Sequence, residues 1–246
     1  MKKTILAAAT LLSLCSVSVP AIAADLGGGL TANGSVTLVS DYRFRGISQT
    51  DKRFAVQGSF TLGHSSGLYG TVWGSSIADY VYNGADQEID FTIGYKKTFG
   101  STTVDGGVIY YYYPGSGGIN SDFFEPYVSI SQAFGPVTAK ASAAYAPKQS
   151  ALSLGFGKED NLYLAGDLSV AWPNTPVSLT AHFGHTFGPS YLSIGKEYSD
   201  WGVGASVAIK NFTIGVQYVD SDGDFITPSG RNASKQGIVG TVGVSF

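Results

Sequence analysis

The chain has 246 residues and a formal net charge of −3, and only 13% of its residues are Asp, Glu, Lys or Arg, about half the share of about 25% usual in soluble domains. It has no cluster of basic residues of the kind that binds nucleic acid. After the N-terminus it has no run of 18 apolar residues, which argues against a transmembrane helix. Neither of these two classes explains why the chain is so rich in glycine and aromatic residues, with 33 Gly, 15 Tyr and 14 Phe.

The first residues are typical of an export signal. Lys2 and Lys3 form a basic start, residues 4–15 are apolar, and an Ala-Ile-Ala cleavage motif follows. The apolar run is too short to span a bilayer comfortably. We predict that residues 1–23 are a signal peptide and that residues 24–246 form one barrel domain.

The only cysteine, Cys15, lies inside the predicted signal peptide. The mature chain would therefore have neither disulfides nor thiolate metal sites. We expect no cofactor.

After the N-terminus, apolar and polar residues alternate with period 2, which is typical of half-buried strands. Helical spacing of apolar residues is absent from these segments. The pattern predicts twelve strands, at residues 34–45, 54–64, 68–78, 87–98, 102–113, 122–134, 137–147, 160–172, 177–187, 198–209, 211–220 and 237–246.

The connections between these strands alternate in length. Turns such as Ser65-Ser66-Gly67 and Gly135-Pro136 are short, whereas every other connection is longer. The long connections are 46–53, 79–86, 114–121, 148–159, 188–197 and 221–236. This alternation predicts an all-β fold: an up-and-down antiparallel transmembrane β-barrel of about twelve strands, with short periplasmic turns and longer external loops.

The two faces of each predicted strand differ in polarity. The segment 87–98 carries Phe91 and Ile93 on one face and Glu88 and Asp90 on the other. The last segment ends in Phe246, with apolar residues at every second position before it. We predict that Phe246 is an assembly signal read by the barrel-assembly machinery of the outer membrane.

The first predicted strand contains the segment SDYRFRGISQT. Its alternation predicts that Tyr42 and Phe44 face lipid at an aromatic girdle, while Asp41, Arg43 and Arg45 face the lumen. A lipid-facing Arg at the bilayer midplane costs about 2–4 kcal/mol, so the opposite register is disfavoured.

The same alternation predicts a set of charged and polar side chains inside the barrel. These lumen candidates are Asp41, Arg43, Arg45, Gln57, Glu88, Asp90, Lys96, Asp105, Glu125, Lys140, Asp167 and His182. They could pair with one another and fill the barrel, or they could line a constriction that sets selectivity; both alternatives stay open.

Arg43 and Arg45 have no obvious acidic partner on the strands next to the first one. We expect their partners to come from across the lumen. The candidates are Glu88, Asp90, Asp105 and Glu125.

Residues 39–77 carry the motifs Tyr42-x-Phe44-Arg45-Gly46-x-Ser48-Gln49-Thr50, Ala55-Val56-Gln57-Gly58 and His64-x-Ser66-Gly67-x-Tyr69, followed by Trp73. This segment closely resembles the N-terminal signature of the TorF family of putative porins. The resemblance implies a proteobacterial outer-membrane barrel of about this length. It implies no substrate and no catalytic residues.

The sequence therefore predicts an outer-membrane channel of a Gram-negative bacterium for small polar solutes or ions, in contact with outer-membrane lipid and lipopolysaccharide. The alternative is a non-conducting structural or adhesive barrel with a plugged lumen, because twelve strands lie between filled 8-stranded barrels and open 16–18-stranded porins. A third candidate is an outer-membrane hydrolase, suggested by the motif Gly63-His64-Ser65-Ser66-Gly67 and by His185 on a lipid-facing position. No helix is predicted after this motif, and Phe187 stands where a companion serine would be expected. We predict that the protein is not an enzyme.

Overall fold

The computed structural model describes residues 23–155 and 157–246. The predicted signal peptide lies almost entirely outside these residues, as does Cys15. The described part contains no helix that is both long enough and apolar enough to cross a membrane.

Twelve long strands form the wall of the molecule. They are β1 (Leu30–Val39), β2 (Ala55–His64), β3 (Leu68–Ser76), β4 (Gln87–Phe99), β5 (Thr102–Tyr112), β6 (Phe123–Phe134), β7 (Val137–Gln149), β8 (Glu159–Ala171), β9 (Val177–Phe187), β10 (Tyr198–Ile209), β11 (Phe212–Ser221) and β12 (Gly237–Ser245).

Each strand pairs antiparallel with the next strand in the chain, and β12 pairs with β1 from Thr241–Val39 to Ser245–Ser35. The sheet therefore closes on itself and leaves no unpaired edge, as a barrel in lipid requires. The predicted twelve-stranded up-and-down barrel is confirmed.

The connections alternate as predicted. The short turns are residues 65–67, 100–101, 135–136, 172–176 and 210–211; the long loops are residues 40–54, 77–86, 113–122, 150–158, 188–197 and 222–236. We call the two ends of the barrel the turn end and the loop end. The start of β1 and the end of β12 both lie at the turn end, because the number of strands is even.

The outer face is apolar and carries two belts of exposed aromatic side chains. Tyr110, Tyr112, Phe124 and Tyr145 lie near the loop end, and Phe99, Phe134, Trp172, Phe212 and Phe246 lie near the turn end. Aliphatic side chains fill the space between the belts; Ile93, for example, is 74% exposed. Such a band with aromatic girdles is the outer surface of a membrane-spanning barrel.

The first strand differs from its prediction. It ends at Val39, and residues 40–54 turn into the lumen. There Arg43–Phe44 pairs with Ile47–Ser48 in a two-residue hairpin whose turn residues, Arg45 and Gly46, have φ of 47° and 80°. Two positive φ angles define a type I′ turn.

The prediction that Tyr42 and Phe44 face lipid is therefore wrong. Tyr42 is only 2% exposed, and its ring packs at 5.5 Å from Trp73 inside the barrel, while Phe44 packs against Tyr111. Alternation of polarity is the same in a membrane strand and in a short inner hairpin, so the pattern could not separate the two.

Three short elements accompany the wall strands. The strand Ala24–Gly27 pairs with the start of β1, and two 3-10 turns, Ser150–Leu152 and Tyr191–Ser193, lie in long loops. The 3-10 turns pack at the loop end, where Leu152 and Ser193 are fully buried.

Candidate functional site

Residues 40–54, which we call the inner loop, fold into the loop half of the barrel. Arg43 holds this loop together: its Nε donates to Asp41 at 2.6 Å, and its Nη1 donates to the carbonyl oxygens of Gly46, Ala233 and Lys235 at 2.8–3.0 Å. The inner loop is thereby tied to residues 222–236, the loop that precedes β12.

Arg45 reaches across the lumen. Its Nη2 donates to Glu125 at 2.7 Å and its Nη1 donates to Asn161 at 2.8 Å, while the guanidinium lies 4.3 Å from the ring centre of Tyr163. Burial alone would lower the pKa of Arg45, but the charge of Glu125 raises it above its ordinary value, so Arg45 stays protonated. One complete ion pair therefore crosses the loop half of the lumen.

Two further carboxylates lie beneath the inner loop without a cation. Glu88 and Asp90 are each 2% exposed; Tyr42 and Tyr113 hydrogen-bond to Glu88. Among the described residues, Oδ1 of Asp90 has no hydrogen-bond partner. Two carboxyl groups on the lumen side that solvent does not reach indicate that this region is not a water-filled passage. Burying an unpaired charge there costs several kcal/mol.

Aromatic and aliphatic side chains complete the closure at the loop end. They come from the inner loop, from other long loops and from the strand ends, and they include Tyr42, Ile77, Val81, Tyr82, Tyr111, Tyr113, Phe123 and Leu152. All are buried, so the loop half of the lumen is a packed core. We call this packed region, together with the inner loop, the plug.

The turn half of the lumen is different, because the side chains of Lys96, Asp167 and His182 remain partly accessible. Lys96 pairs with Asp105 at 3.2 Å. His182 lies between two carboxylates, with Nδ1 2.7 Å from Asp167 and Nε2 3.1 Å from Asp200. The side chain of Asp167 is 37% exposed, which indicates a solvated inner wall.

Lys140 occupies the same inner wall, half-buried, on β7. Its Cα partners are Ser131 on β6 and Asp167 on β8. In the described part of the chain, its ammonium group makes no hydrogen bond and no ion pair within 4.0 Å.

The twelve predicted lumen residues fall into three groups. Asp41, Arg43 and Arg45 belong to the inner loop rather than to a strand, which corrects their predicted position. Gln57, Glu88, Asp90 and Glu125 point inward as predicted but lie buried at the plug, while Lys96, Asp105, Lys140, Asp167 and His182 belong to the turn half.

The predicted cross-lumen pairing is correct for Arg45 and wrong for Arg43. Arg45 pairs with Glu125, one of the predicted acids, whereas Arg43 pairs with Asp41, two residues before it. The hairpin turn at Arg45 and Gly46 directs the two arginines to different neighbours, and a straight strand could not do so.

Three site residues were missed: Asn161, Tyr163 and Asp200. Tyr163 donates to Asp200 at 3.0 Å, next to His182. The alternation along β10 places Asp200 on the inner face, so this residue could have been found from the sequence. Among the described residues, no three His, Cys, Asp or Glu side chains are grouped as a metal site would require.

The outer face contains a serine next to His185 that the sequence did not reveal. Ser199, the Cα partner of His185 on β10, lies with its Oγ 2.9 Å from Nδ1, and Glu197 lies 3.9 Å from Nε2. The backbone N–H of Ser199 donates to Asp222 at 2.6 Å. That donor is therefore occupied and does not supply an oxyanion hole.

The motif Gly63-His64-Ser65-Ser66-Gly67 forms the turn between β2 and β3. His64 Nδ1 lies 2.8 Å from Ser66 Oγ in an exposed turn that leads directly into a strand. The strand–turn–helix context of a nucleophile elbow is not present there.

Comparison with solved structures supports the barrel fold. The NanC porin matches with a TM-score of 0.59 and 14% identity, covering 87% of this chain and 98% of that one. The KdgM porin in complex with disordered oligogalacturonate matches with a TM-score of 0.54 and 10% identity, again covering 87% and 98%. At these identities the likeness concerns the fold alone.

No curated protein sequence matches this chain. A family model does match residues 23–246, which is nearly the whole chain. The chain therefore belongs to the family described as bacterial protein of unknown function, Gcw_chp.

Proposed function

We propose that this protein is a porin-like channel of the outer membrane, through which small polar solutes diffuse passively, and that the plug narrows it at the loop end. The long loops face the exterior, and the resemblance of residues 39–77 to the TorF putative porins agrees with this role. Export by a cleaved signal peptide and recognition of Phe246 by the assembly machinery belong to the same proposal. Its surroundings are outer-membrane lipid and lipopolysaccharide.

The observation that carries this proposal is the ionic inner wall of the turn half. Lys96, Asp105, Asp167 and His182 point into the lumen of a closed barrel, and several of them remain accessible to solvent. A barrel that served only as an anchor would gain nothing from charged side chains there, because apolar residues of the same volume fill a core at lower cost.

The test is single-channel conductance in planar bilayers, for the wild type and for Arg45→Ala. Arg45 is the side chain of the inner loop that pairs with the far wall, at 2.7 Å from Glu125. We expect wild-type openings to be small or brief, and we expect Arg45→Ala to raise the open probability because the plug loses its cross-lumen ion pair.

The matched control is Arg53→Ala. Arg53 also lies on the inner loop, but its side chain is 71% exposed and its ion pair with Asp51 is 3.8 Å long, so its removal should leave the conductance unchanged. Folding of each variant is checked by its heat-dependent mobility in gels. If folded wild type and folded Arg45→Ala both fail to conduct, the channel proposal is rejected.

The second candidate, a non-conducting structural or adhesive barrel, is favoured by one specific observation. Tyr111, Phe123 and Leu152 are at most 1% exposed in the loop half, at the density of a protein core. If neither the wild type nor Arg45→Ala conducts, this second candidate is supported.

We do not favour hydrolase activity. The pair Ser199 and His185 on the outer face lacks a free backbone donor at Ser199, and the serines of residues 63–67 lie in an ordinary turn. Labelling by a serine-directed fluorophosphonate that is lost in Ser199→Ala would overturn this view.

A further inference from the structure

The charged residues of the turn half follow the register of the barrel. Lys96 lies opposite Asp105, Lys140 lies opposite Asp167, and Asp167 lies opposite His182. Directly opposite residues in antiparallel strands have Cβ atoms about 4.5–5.5 Å apart. The side chains therefore form a charged belt on the wall from β4 to β9, interrupted by serines on β6, in which signs alternate from strand to strand.

Among the described strand residues, the facing wall of the turn half carries no charged inward side chain. It carries several inward hydroxyl groups, some of which bond to one another, as in the contacts Ser35–Ser59 at 2.7 Å and Thr61–Thr71 at 2.9 Å. A solute in this half of the lumen therefore meets charges on one side only.

Two neighbouring side chains of the belt, Lys140 and Asp167, each have a polar group or atom that makes no hydrogen bond with the described residues. Lys140 makes no hydrogen bond or ion pair with any described residue, although Asp167 is directly opposite it. Oδ1 of Asp167 lies 2.7 Å from Nδ1 of His182, so its second carboxylate oxygen is the one without a hydrogen bond among the described residues. The half-buried ammonium group of Lys140 and this oxygen of the partly exposed Asp167 therefore lie on adjacent strands of the inner wall.

We propose that Lys140 and Asp167 form a subsite for small zwitterions such as α-amino acids, an inference that rests on the proposed channel function. The solute's carboxylate binds the ammonium group of Lys140, and its own ammonium group binds the free oxygen of Asp167. Both contacts are charge-assisted hydrogen bonds, which are stronger than neutral ones.

The charge balance around the subsite favours a zwitterion over an ion of one sign. The charged groups close to Lys140 are Asp167, Asp105 and Lys96. A dianion at Lys140 is repelled by the two carboxylates, and a cation at Asp167 is repelled by Lys140 and, when protonated, by His182. A neutral solute makes neither charged contact.

The test compares two isomers of the same size, L-alanine and lactamide, of which only alanine is zwitterionic. Proteoliposomes containing the wild type are mixed with isotonic solutions of each, and the swelling rates are measured. We expect alanine to enter faster than lactamide. Lys140→Gln should lower the ratio of alanine rate to lactamide rate by roughly three- to fivefold, the range for a partly solvated charge contact of up to about 1 kcal/mol.

Two variants serve as controls. Lys97→Gln removes an exposed lysine from the outer face of β4, one residue from Lys96, and should leave the ratio unchanged. Lys140→Arg keeps the charge and should retain most of the preference. If the wild type admits both isomers without preferring alanine, or if Lys140→Gln keeps the wild-type ratio, the subsite is refuted while the channel stands.

If neither isomer enters the wild-type vesicles, the channel proposal fails, and the subsite is tested by binding. Saturation-transfer NMR of alanine with the detergent-solubilised protein should then give a signal that Lys140→Gln abolishes and Lys97→Gln preserves. Equal signals from the two variants would refute the subsite.

Discussion

Three inward tyrosines lie over glycines of neighbouring strands. An added Cβ at Gly94 would meet the ring of Tyr69, one at Gly107 would lie 2.8 Å from Tyr127 Oη, and one at Gly184 would overlap Tyr163. Tyr163 also contacts Arg45, Asp200 and His182. The glycines therefore leave room for the tyrosines that hold the charged side chains in position.

Gly184 gives a direct test of this arrangement. Gly184→Ala should lower the free energy of unfolding by about 1–3 kcal/mol, because overpacking forces Tyr163 to move. Gly166→Ala is the matched control, since its added Cβ would face lipid with its nearest neighbour atom 4.0 Å away. Urea unfolding in lipid vesicles measures both, and equal stability of the two variants would contradict the packing argument.

At the level of elements, the closing seam between β12 and β1 is the shortest pairing between neighbouring wall strands, with five residue pairs. The seam continues past the last strand residue, because the N–H and the C=O of Phe246 both bond to Gly34, at 3.0 and 2.8 Å. The ring of Phe246 lies in the aromatic belt of the turn end. The last residue therefore contributes to barrel closure as well as to the predicted assembly signal.

Variants at the C-terminus can separate these two contributions. Deletion of Phe246 should strongly reduce outer-membrane levels, because it removes both backbone bonds and the ring, whereas Phe246→Ala should reduce them less. Phe134→Ala, which removes another exposed ring of the same belt, should have little effect. Immunoblots of outer-membrane fractions measure the levels, and wild-type amounts of the deletion variant would contradict a role for this residue.

A second contact between elements joins the inner loop to residues 222–236. Asp51 accepts hydrogen bonds from Thr227 at 2.8 Å, Ser229 at 2.9 Å and Arg231 at 2.6 Å. Burial alone would raise the pKa of Asp51, but these bonds and the charge of Arg231 together hold it below its ordinary value.

This contact predicts a pH dependence of stability. A carboxylate with a lowered pKa stabilises the folded state above its unfolded pKa of about 3.9, and this stabilisation is lost as the pH falls through the lower folded value. The difference in unfolding free energy between wild type and Asp51→Asn should thus be constant from pH 7 to pH 5 and shrink below about pH 4. Asp86→Asn, which changes an exposed carboxylate of another long loop, should keep the wild-type pH profile. A difference between wild type and Asp51→Asn that persists at pH 2 would refute the assignment.

At the scale of the whole molecule, the barrel has two unlike halves. The loop half is a packed plug crossed by the Arg45–Glu125 ion pair, and the turn half is an ionic cavity. All long loops lie at the plugged end and all short turns at the other. Under the proposed channel function, solutes pass the loop half only when the plug moves, and Arg45 is the plug residue that the conductance test changes.

The orientation of these halves in the membrane can be tested by cysteine labelling, because the mature chain is predicted to lack cysteine. Asn120→Cys at the loop end and Thr175→Cys at the turn end are both exposed positions. A membrane-impermeant maleimide applied to intact cells should label the first and not the second, and both should react after lysis. Labelling of position 175 in intact cells would invert the proposed orientation.

The wall of this barrel could be predicted from the amino-acid sequence alone. Alternating polarity and alternating loop length are local properties that recur in every segment, so strands such as 177–187 and 198–209 were predicted to the residue, and most inward charges were placed on the correct face. The filling of the lumen could not be predicted in this way, because it depends on contacts that form only in the folded chain. The path of residues 40–54 depends on partners such as Glu125, Asn161 and Ala233, which are distant in the chain. A local sequence pattern cannot predict such contacts. Charged and aromatic residues alternate in the same way in a lipid-facing strand and in a hairpin that is buried within the barrel.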